Sequence, residues 1–387
     1  MVAKPFKRGS RWCVVVELGK DPVTGKRRQQ WVYGATRKEV QEAQVKLLRE
    51  RDTGTSLDPT RLTVAEYLAH WLETVVRPNK AILTYERYEA ITRNHLVPAF
   101  GTVPLAKLAP AHLAKLYADL DHLGYARNTV RGVHGCAHAA LSKAVQWRMI
   151  VQNPADLVDK PAIDATPATI WDAPTLAEFL DLIRGRRFEP LYLLALNTGL
   201  RAGELLGLRW SDLDLARALL TLSRQQIRST RFGHLDTPTK GKRARAIALT
   251  AETITTLRAH KIRQVEDRLA AGPSWQDENR IFPNGTGGAL SERTIRGDWV
   301  SSLKRWGLAP MHFHGLRHLH ATYLLIAGVH PKVVSERLGH STTAITMETY
   351  SHVTPGLQQS AAEDFAAIIK SIRKQPPDAA HLGAERG

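Results

Sequence analysis

Between Asn197 and Tyr350 the chain carries, in order, an arginine, a lysine, a His-x-x-Arg pair, a second histidine and a tyrosine. Asn197 to Trp210 reads NTGLRAGELLGLRW, where Gly199 breaks one helical run, Arg201 opens the next and Glu204 stands one turn later, in reach to hold Arg201 in place. Residues 312–320 read HFHGLRHLH, so His314 and Arg317, three apart, project from one face of a helix. Residues 338–352 read LGHSTTAITMETYSH and set His340 ten residues before Tyr350. Guanidinium forks are always charged and grip two oxygens of an anion at once. Imidazoles exchange hydrogen bonds and protons near neutrality, and a phenol becomes a nucleophile once its proton is removed. Together these groups suit an anionic ester such as a phosphodiester, whose charge must be balanced before a nucleophile can approach. Taken singly, each has a plainer reading. An arginine at a helix start is usually solvated or salt-bridged, a His-x-x-Arg pair arises by chance, and a tyrosine near a C-terminus usually packs.

These residues need elements to hold them. From Thr175 onward helical patterns dominate, with one interruption: residues 218–223 and 245–249 read as strands flanking a basic stretch with Lys240, Lys242, Arg243 and Arg245, of which the last three are candidate DNA contacts. Upstream, residues 11–18 and 27–33 are rich in β-branched and aromatic side chains around a turn with Gly19, Asp21, Pro22 and Gly25, which predicts a two-strand ribbon. Lys26, Arg27 and Arg28 open its second strand, where they either enter a DNA groove or form a solvated turn. Thr36 and Glu39 have capping-box spacing ahead of Val40, Ala43 and Leu47, and Thr63 and Glu66 repeat it ahead of Tyr67, Leu68, Trp71, Leu72 and Val75. Further helical patterns run through 84–95, 110–123 and 127–147. The proline-rich stretch from Asn153 to Pro174 reads as a linker. The expected division is therefore 1–58, a small ribbon-and-helix domain; 59–152, a helical domain; 153–174, a linker; 175–375, a mostly helical domain with small β elements; and 376–387, a flexible tail. The fold class is mainly α.

Bulk properties narrow the partner. The 387 residues include 54 Lys plus Arg against 37 Asp plus Glu, a formal charge of +17, which favours a polyanion and puts nucleic acid first. No apolar run approaches the roughly 18–20 residues of a spanning helix, and the N-terminus has no signal-peptide core. Cys13 and Cys136 are the only cysteines, far apart and without metal-ligand spacing, so a reducing cytoplasm is expected. A metal reading of His312, His314, His318 and His320 is weak, because their spacing does not share one helical face and acidic or cysteine partners are missing nearby. His318 is read instead as a structural hydrogen-bonding residue. No carboxylate cluster suited to Mg²⁺ is evident, which disfavours a nuclease.

The ordered series, with the lysine between two strands and the histidine in Leu-Gly-His, closely resembles that of tyrosine recombinases of the phage-integrase type. The resemblance extends along the chain: the ribbon and helix look like an arm-type DNA-binding domain, 62–150 like a core-binding domain, with GTVPLAKL and WRMIVQNPA similar to its usual course and exit. By this likeness Arg201 and Arg317 take the two arginine positions, Lys240 the hairpin lysine with Lys242 as its neighbour on the same turn, His314 and His340 the histidine positions, and Tyr350 the nucleophile, with Glu204 and His318 in support. Attack by Tyr350 would give a 3′-phosphotyrosyl link and a free 5′ hydroxyl, with His314 as base and Lys240 as acid. No metal, ATP or other cofactor is then expected. The family implies two such rounds through a four-way junction in a homotetramer on double-stranded DNA with core and arm sites, integration and excision of a mobile element, and an excisionase and a host DNA-bending protein as accessories. The tail segment LQQSAAEDFAAIIKSI places Ala362, Phe365, Ile369 and Ile372 on one helical face, to dock on its own domain or on a neighbour. Two other readings of the charge are a type IB topoisomerase, for which the first 55 residues are superfluous, and a non-catalytic DNA binder, which leaves the ordered series unexplained.

Overall fold

The structure is a computed structural model describing residues 4–20, 27–52, 62–160, 162, 170–239, 244–340, 342–350, 362–363, 365–366 and 369–370. The chain divides into two units, Met1–Ala165 and Thr166–Gly387. The fold is mainly helical, and the sheets among the described residues have two or three strands each.

In the first unit β1 (Phe6–Arg8), β2 (Arg11–Lys20) and β3 (Arg27–Gly34) form an antiparallel sheet in that order. Alternation in β2 turns Trp12, Val14 and Val16 toward α1 (Arg37–Asp52), where they pack with Val32 and Val40. Cys13 is also buried. The ribbon thus has three strands rather than two. The sequence FKR of β1 is exposed throughout and lacks the apolar alternation that marks a strand. Thr36 caps α1 as its spacing predicts: its hydroxyl accepts from the Glu39 amide at 3.2 Å, and the Glu39 carboxylate accepts from the Ala35 amide at 3.0 Å.

The helical part of this unit opens at Thr63, whose capping box with Glu66 is complete and starts α2 (Val64–Trp71). A π-helical turn, Leu72–Val76, leads into α3 (Arg77–Asn79). The pattern then repeats: α4 (Ile82–Ile91), a π turn over Thr92–Leu96, and α5 (Val97–Phe100). Each π turn lies just before an Xaa-Pro pair, Arg77-Pro78 and Val97-Pro98. Proline has no N–H and its ring presses on the carbonyl four residues back, so the helix widens by one residue there and continues. Helices α6 (Pro110–His122) and α7 (Arg127–Gln146) close the bundle over Tyr67, Leu68, Trp71, Leu113, Val133 and Cys136. Pro154 and Ala155 are buried here as well, and Trp171 is buried in the second unit, so the stretch expected to be linker is anchored at both ends.

The second unit begins with α8 (Ala173–Ile183), capped by Asp172, then α9 (Glu189–Thr198) and the short α10 (Ala202–Leu206). Strands β4 (Leu213–Asp214), β5 (Leu219–Leu222) and β8 (Arg245–Ala248) form one sheet, with Leu220 opposite Ile247. Between β5 and β8 the chain makes a separate hairpin, β6 (Arg224–Ser229) and β7 (Gly233–Pro238). The sequence reading has the outer strands but not this hairpin, since RQQIRS and GHLDTP carry almost no apolar alternation. The hairpin packs on α10, whose Gly203 and Gly207 allow the approach: a Cβ on either would fall within 2.8 Å of a Gln226 backbone atom. Helices α11 (Ala251–Ala271), α12 (Glu292–Trp306), α13 (Gly315–Ile326), α14 (Pro331–Leu338) and α15 (Thr343–Tyr350) complete the unit. Its core is aromatic. Trp299 stacks on Trp171 at 5.8 Å and meets Phe179, Tyr192 and Phe313 edge-on. Burying rings of this size is worth roughly 4 kcal/mol each, and Phe313 anchors the residue next to it, His314. In the tail Phe365 and Ile369 are exposed, while Ile372 lies outside the described residues.

Candidate active site

The turn that ends α14 is the centre of the site. Gly339 closes the helix in the left-handed region at φ 67°, and three consecutive carbonyls at this end each receive a guanidinium from a different element. Arg337 O accepts from Arg245 Nε at 3.2 Å, Leu338 O from Arg317 Nη2 at 2.8 Å, and Gly339 O from Arg201 Nη2 at 3.5 Å. Strand β8, helix α13 and the start of α10 thus converge on one helix C-terminus, whose partial negative charge suits arginines.

Each arginine has a second anchor. Arg317, only 3% exposed, also gives Nη1 to Gly199 O at 2.7 Å. Gly199 ends α9 at φ 64°, and a Cβ there would lie 2.6 Å from Leu338 Cδ2 and 2.8 Å from His320 Cδ2, so only glycine fits. Arg201 is the N-cap of α10; Glu204 accepts from its backbone amide at 3.0 Å and from Nη1 at 3.2 Å. Glu204, 1% exposed, also takes a two-pronged contact from Arg245, Nη1 at 3.0 Å and Nη2 at 2.8 Å. Burial alone would raise its pKa, but the hydrogen bonds and charge of Arg245, helped by Arg201, outweigh it and hold the carboxyl below its usual range.

The histidines sit in this field. His314 is the N-cap of α13 and its ring meets the edge of His318 at 5.1 Å. It keeps an accessible edge, yet loss of hydration to the surrounding protein, then His318 and the charges of Arg317, Arg201 and Arg296, push it down to about 4. His340 follows Gly339 and is also pushed to about 4, by burial first and then by Arg317 and Arg201. Its Nδ1 pairs with the buried Thr346 hydroxyl at 2.8 Å, which ties the turn to α15, the helix that Tyr350 ends. His318 titrates low from burial and Arg317.

Arg201, Glu204, His314, Arg317, His318 and His340 therefore come together. Lys240, Lys242 and Arg243 lie outside the described residues, between Thr239 and Arg245, as does Lys26; Arg27 and Arg28 begin β3. Arg245, a candidate DNA contact, has its side chain 15% exposed and committed to Glu204 and the Arg337 carbonyl. The sequence reading passes over Arg337 and weighs His320 only as a metal ligand. Arg337 spans three elements, giving Nε to His320 at 3.2 Å and Nη2 to Asn197 O at 3.0 Å and Ala248 O at 3.2 Å. Burial and the Arg337 charge push His320 to about 4. Nothing in a single sequence marks such a staple, because its partners are mostly backbone carbonyls.

Residues 174–356 match the phage integrase family, and residues 63–120 match the N-terminal SAM-like domain of phage integrases. The chain belongs to the phage integrase family of tyrosine recombinases. A tyrosine recombinase XerC-like protein of Caldanaerobacter subterraneus subsp. tengcongensis is 28% identical over 371 residues, 90% of this chain and 94% of the relative. An integrase of Streptomyces ambofaciens is 28% identical over 388 residues, covering 96% of both chains. In fold the chain is similar to the Tn1549 transposon integrase in complex with a circular intermediate DNA, with a TM-score of 0.68 and 24% identity over 79% of this chain and 99% of that one. A lambda integrase tetramer bound to a Holliday junction gives a TM-score of 0.55 at 17% identity, over 89% and 97%. This tyrosine recombinase is a site-specific DNA recombinase, an enzyme that breaks and rejoins DNA.

Proposed function

We propose that this recombinase integrates and excises a mobile element by attack of Tyr350 on a DNA phosphodiester held by Arg201 and Arg317. The observation that supports this reading is the convergence of both arginines and His340 on the turn that leads into the helix of Tyr350, with His314 in the field of the same two arginines. The Tyr350 oxygen bonds to phosphorus, the phosphorus–5′-oxygen bond breaks, and one phosphate ester replaces another. His314 takes the phenol proton. Its ring is neutral at pH 7, which leaves a nitrogen lone pair, and an entering phosphate offsets the arginine charges that depress it. Lys240 gives a proton to the 5′ oxygen, and His340 hydrogen-bonds the phosphate. Because Arg317 is almost fully buried, the phosphate reaches it only through a rearrangement that accompanies DNA binding.

The partner is double-stranded DNA. Residues 59–152 and the catalytic domain, 175–375, clasp a core site, and residues 1–58 bind arm sites, for which the sheet offers an exposed face of Phe6, Trp31 and Tyr33 with Arg8 over the Trp31 ring at 5.5 Å. The active assembly is a homotetramer on DNA, served by an excisionase and a host DNA-bending protein in the bacterial cytoplasm, at the nucleoid. Among the described residues no helix is long and apolar enough to cross a membrane. The deciding experiment is Tyr350→Phe, which should bind its core site with near-normal affinity and form no denaturant-resistant DNA adduct. An adduct that persists puts the nucleophile elsewhere.

A further inference from the structure

Arg245 faces Glu204 and the α14 turn, with its side chain turned away from solvent. We infer that it is a positioning residue for cleavage: through Glu204 it fixes Arg201, and through the Arg337 carbonyl it holds the turn that precedes His340. This rests on the reading that Arg201 and Arg317 hold the scissile phosphate. Three observations carry it. Glu204 is the shared acceptor, contacted by Arg201 through both backbone and side chain and by Arg245 through both Nη atoms. A carboxylate with one arginine has some freedom to swing, whereas a fork from a second element fixes its plane and with it the Arg201 guanidinium. Next, Arg245 contacts the first of the three carbonyls whose other two hold Arg317 and Arg201, so it sets the frame in which both are aimed. Last, the space is matched. A Cβ on Gly339 would lie 2.7 Å from Arg245 Nη1, so the turn is shaped around this guanidinium.

Arg245 also begins β8, five residues after Lys240 in the sequence. The strand that follows Lys240 is thereby pinned to the arginine cluster by a side chain that does not itself touch the reacting atoms. A misplacement of about 1 Å in such a frame costs on the order of 100-fold in rate.

The test compares two substrates at saturating enzyme: the core-site duplex at which the wild-type protein forms its covalent adduct, and the same duplex with a neutral methylphosphonate at the cleaved position. Removing the phosphate charge removes most of the demand for arginines. Arg201→Ala is the benchmark. It should lose cleavage on the phosphate and recover much of it on the methylphosphonate; without that recovery the phosphate reading itself fails. Given that recovery, Arg245→Ala should slow cleavage of the phosphate by about 100-fold, keep DNA affinity within threefold, and lose no more than tenfold on the methylphosphonate. Arg245→Lys, which keeps the charge but not the fork, should fall between the two. Normal cleavage at saturation with weakened binding makes Arg245 a DNA contact and overturns the inference. An equal loss on both substrates by both variants, with a lowered melting temperature, reduces it to general stability and overturns it too.

Discussion

Glu204 shows how one residue can serve two masters at the site. It is a buried carboxylate, costly in isolation, made stable by two guanidiniums, and breaking such a pair from one side typically costs about 3–5 kcal/mol. Removing it should therefore cripple folding and cleavage together, while Glu204→Gln, which keeps the shape, should retain the fold better. At Gly199 the constraint is steric as well as conformational. Gly199→Ala meets Leu338 and His320 within 2.8 Å at a positive φ, and should lower the melting temperature by several degrees and slow cleavage, because the carbonyl that holds Arg317 is displaced. Circular dichroism melts and adduct formation measure the two effects. The general acid is a separate matter. A sulfur in place of the bridging 5′ oxygen leaves without a proton, so it should rescue cleavage by Lys240→Ala and not by Arg201→Ala or Arg317→Ala. If the rescue belongs to Lys242→Ala instead, the acid stands two residues later in the sequence.

At the scale of elements, α9, α10, α13 and α14 meet through residues whose charge state matters. His314, His320 and His340 are all pushed to about 4, below the unfolded value near 6.5. The sign is fixed: the unfolded chain binds these protons first, so their stabilising contribution is full above about pH 6.5 and drains away as pH falls toward 4. Glu204, held below its usual range, adds a loss of the same sign at still lower pH. Protonation also removes the acceptor that His320 offers to Arg337 Nε, loosening the staple between α13 and α14. His320→Gln should accordingly lose less melting temperature than the wild type between pH 7 and 4.5, and an unchanged slope would clear His320 of the role. How legible these elements were follows from what marks them. Capping pairs at Thr36 and Thr63 and the apolar spacing of α6 and α7 are local, and they stand where the spacing predicts. The β6–β7 hairpin was invisible because its strands are polar and are held by glycine contacts from α10, a tertiary fact. The convergence of Arg201, Arg317 and His340 follows residues the sequence already singles out by order and type, but the burial of Arg245 was not legible, since a basic residue in a basic stretch looks solvated until the buried Glu204 faces it.

At the scale of the whole molecule, the formal charge of +17 implies binding to DNA that weakens steeply with salt as counterions return to the phosphates. A fragment starting near Arg61 should keep core-site cleavage and lose arm-site affinity, and its mobility shifts should show a smaller salt slope than the full chain on DNA carrying both sites. Equal arm-site affinity of fragment and full chain would sink the proposed division of labour.

Both sulfhydryls lie in the first unit, Cys13 on the face of the sheet away from α1, opposite Phe6 and Tyr33, and Cys136 in the core of the bundle, and the second unit contains none. Both are buried, and burial pushes the Cys136 thiol up to about 12, far from the thiolate that alkylating reagents attack. The chain thus contains its own pair of opening clocks. Under native conditions the rate at which each cysteine is alkylated reports how often its own surroundings open, and digestion followed by mass spectrometry separates the two. When cognate DNA is added, slower labelling of one site with the other unchanged would identify which module the duplex clamps, without a dye or a mutation.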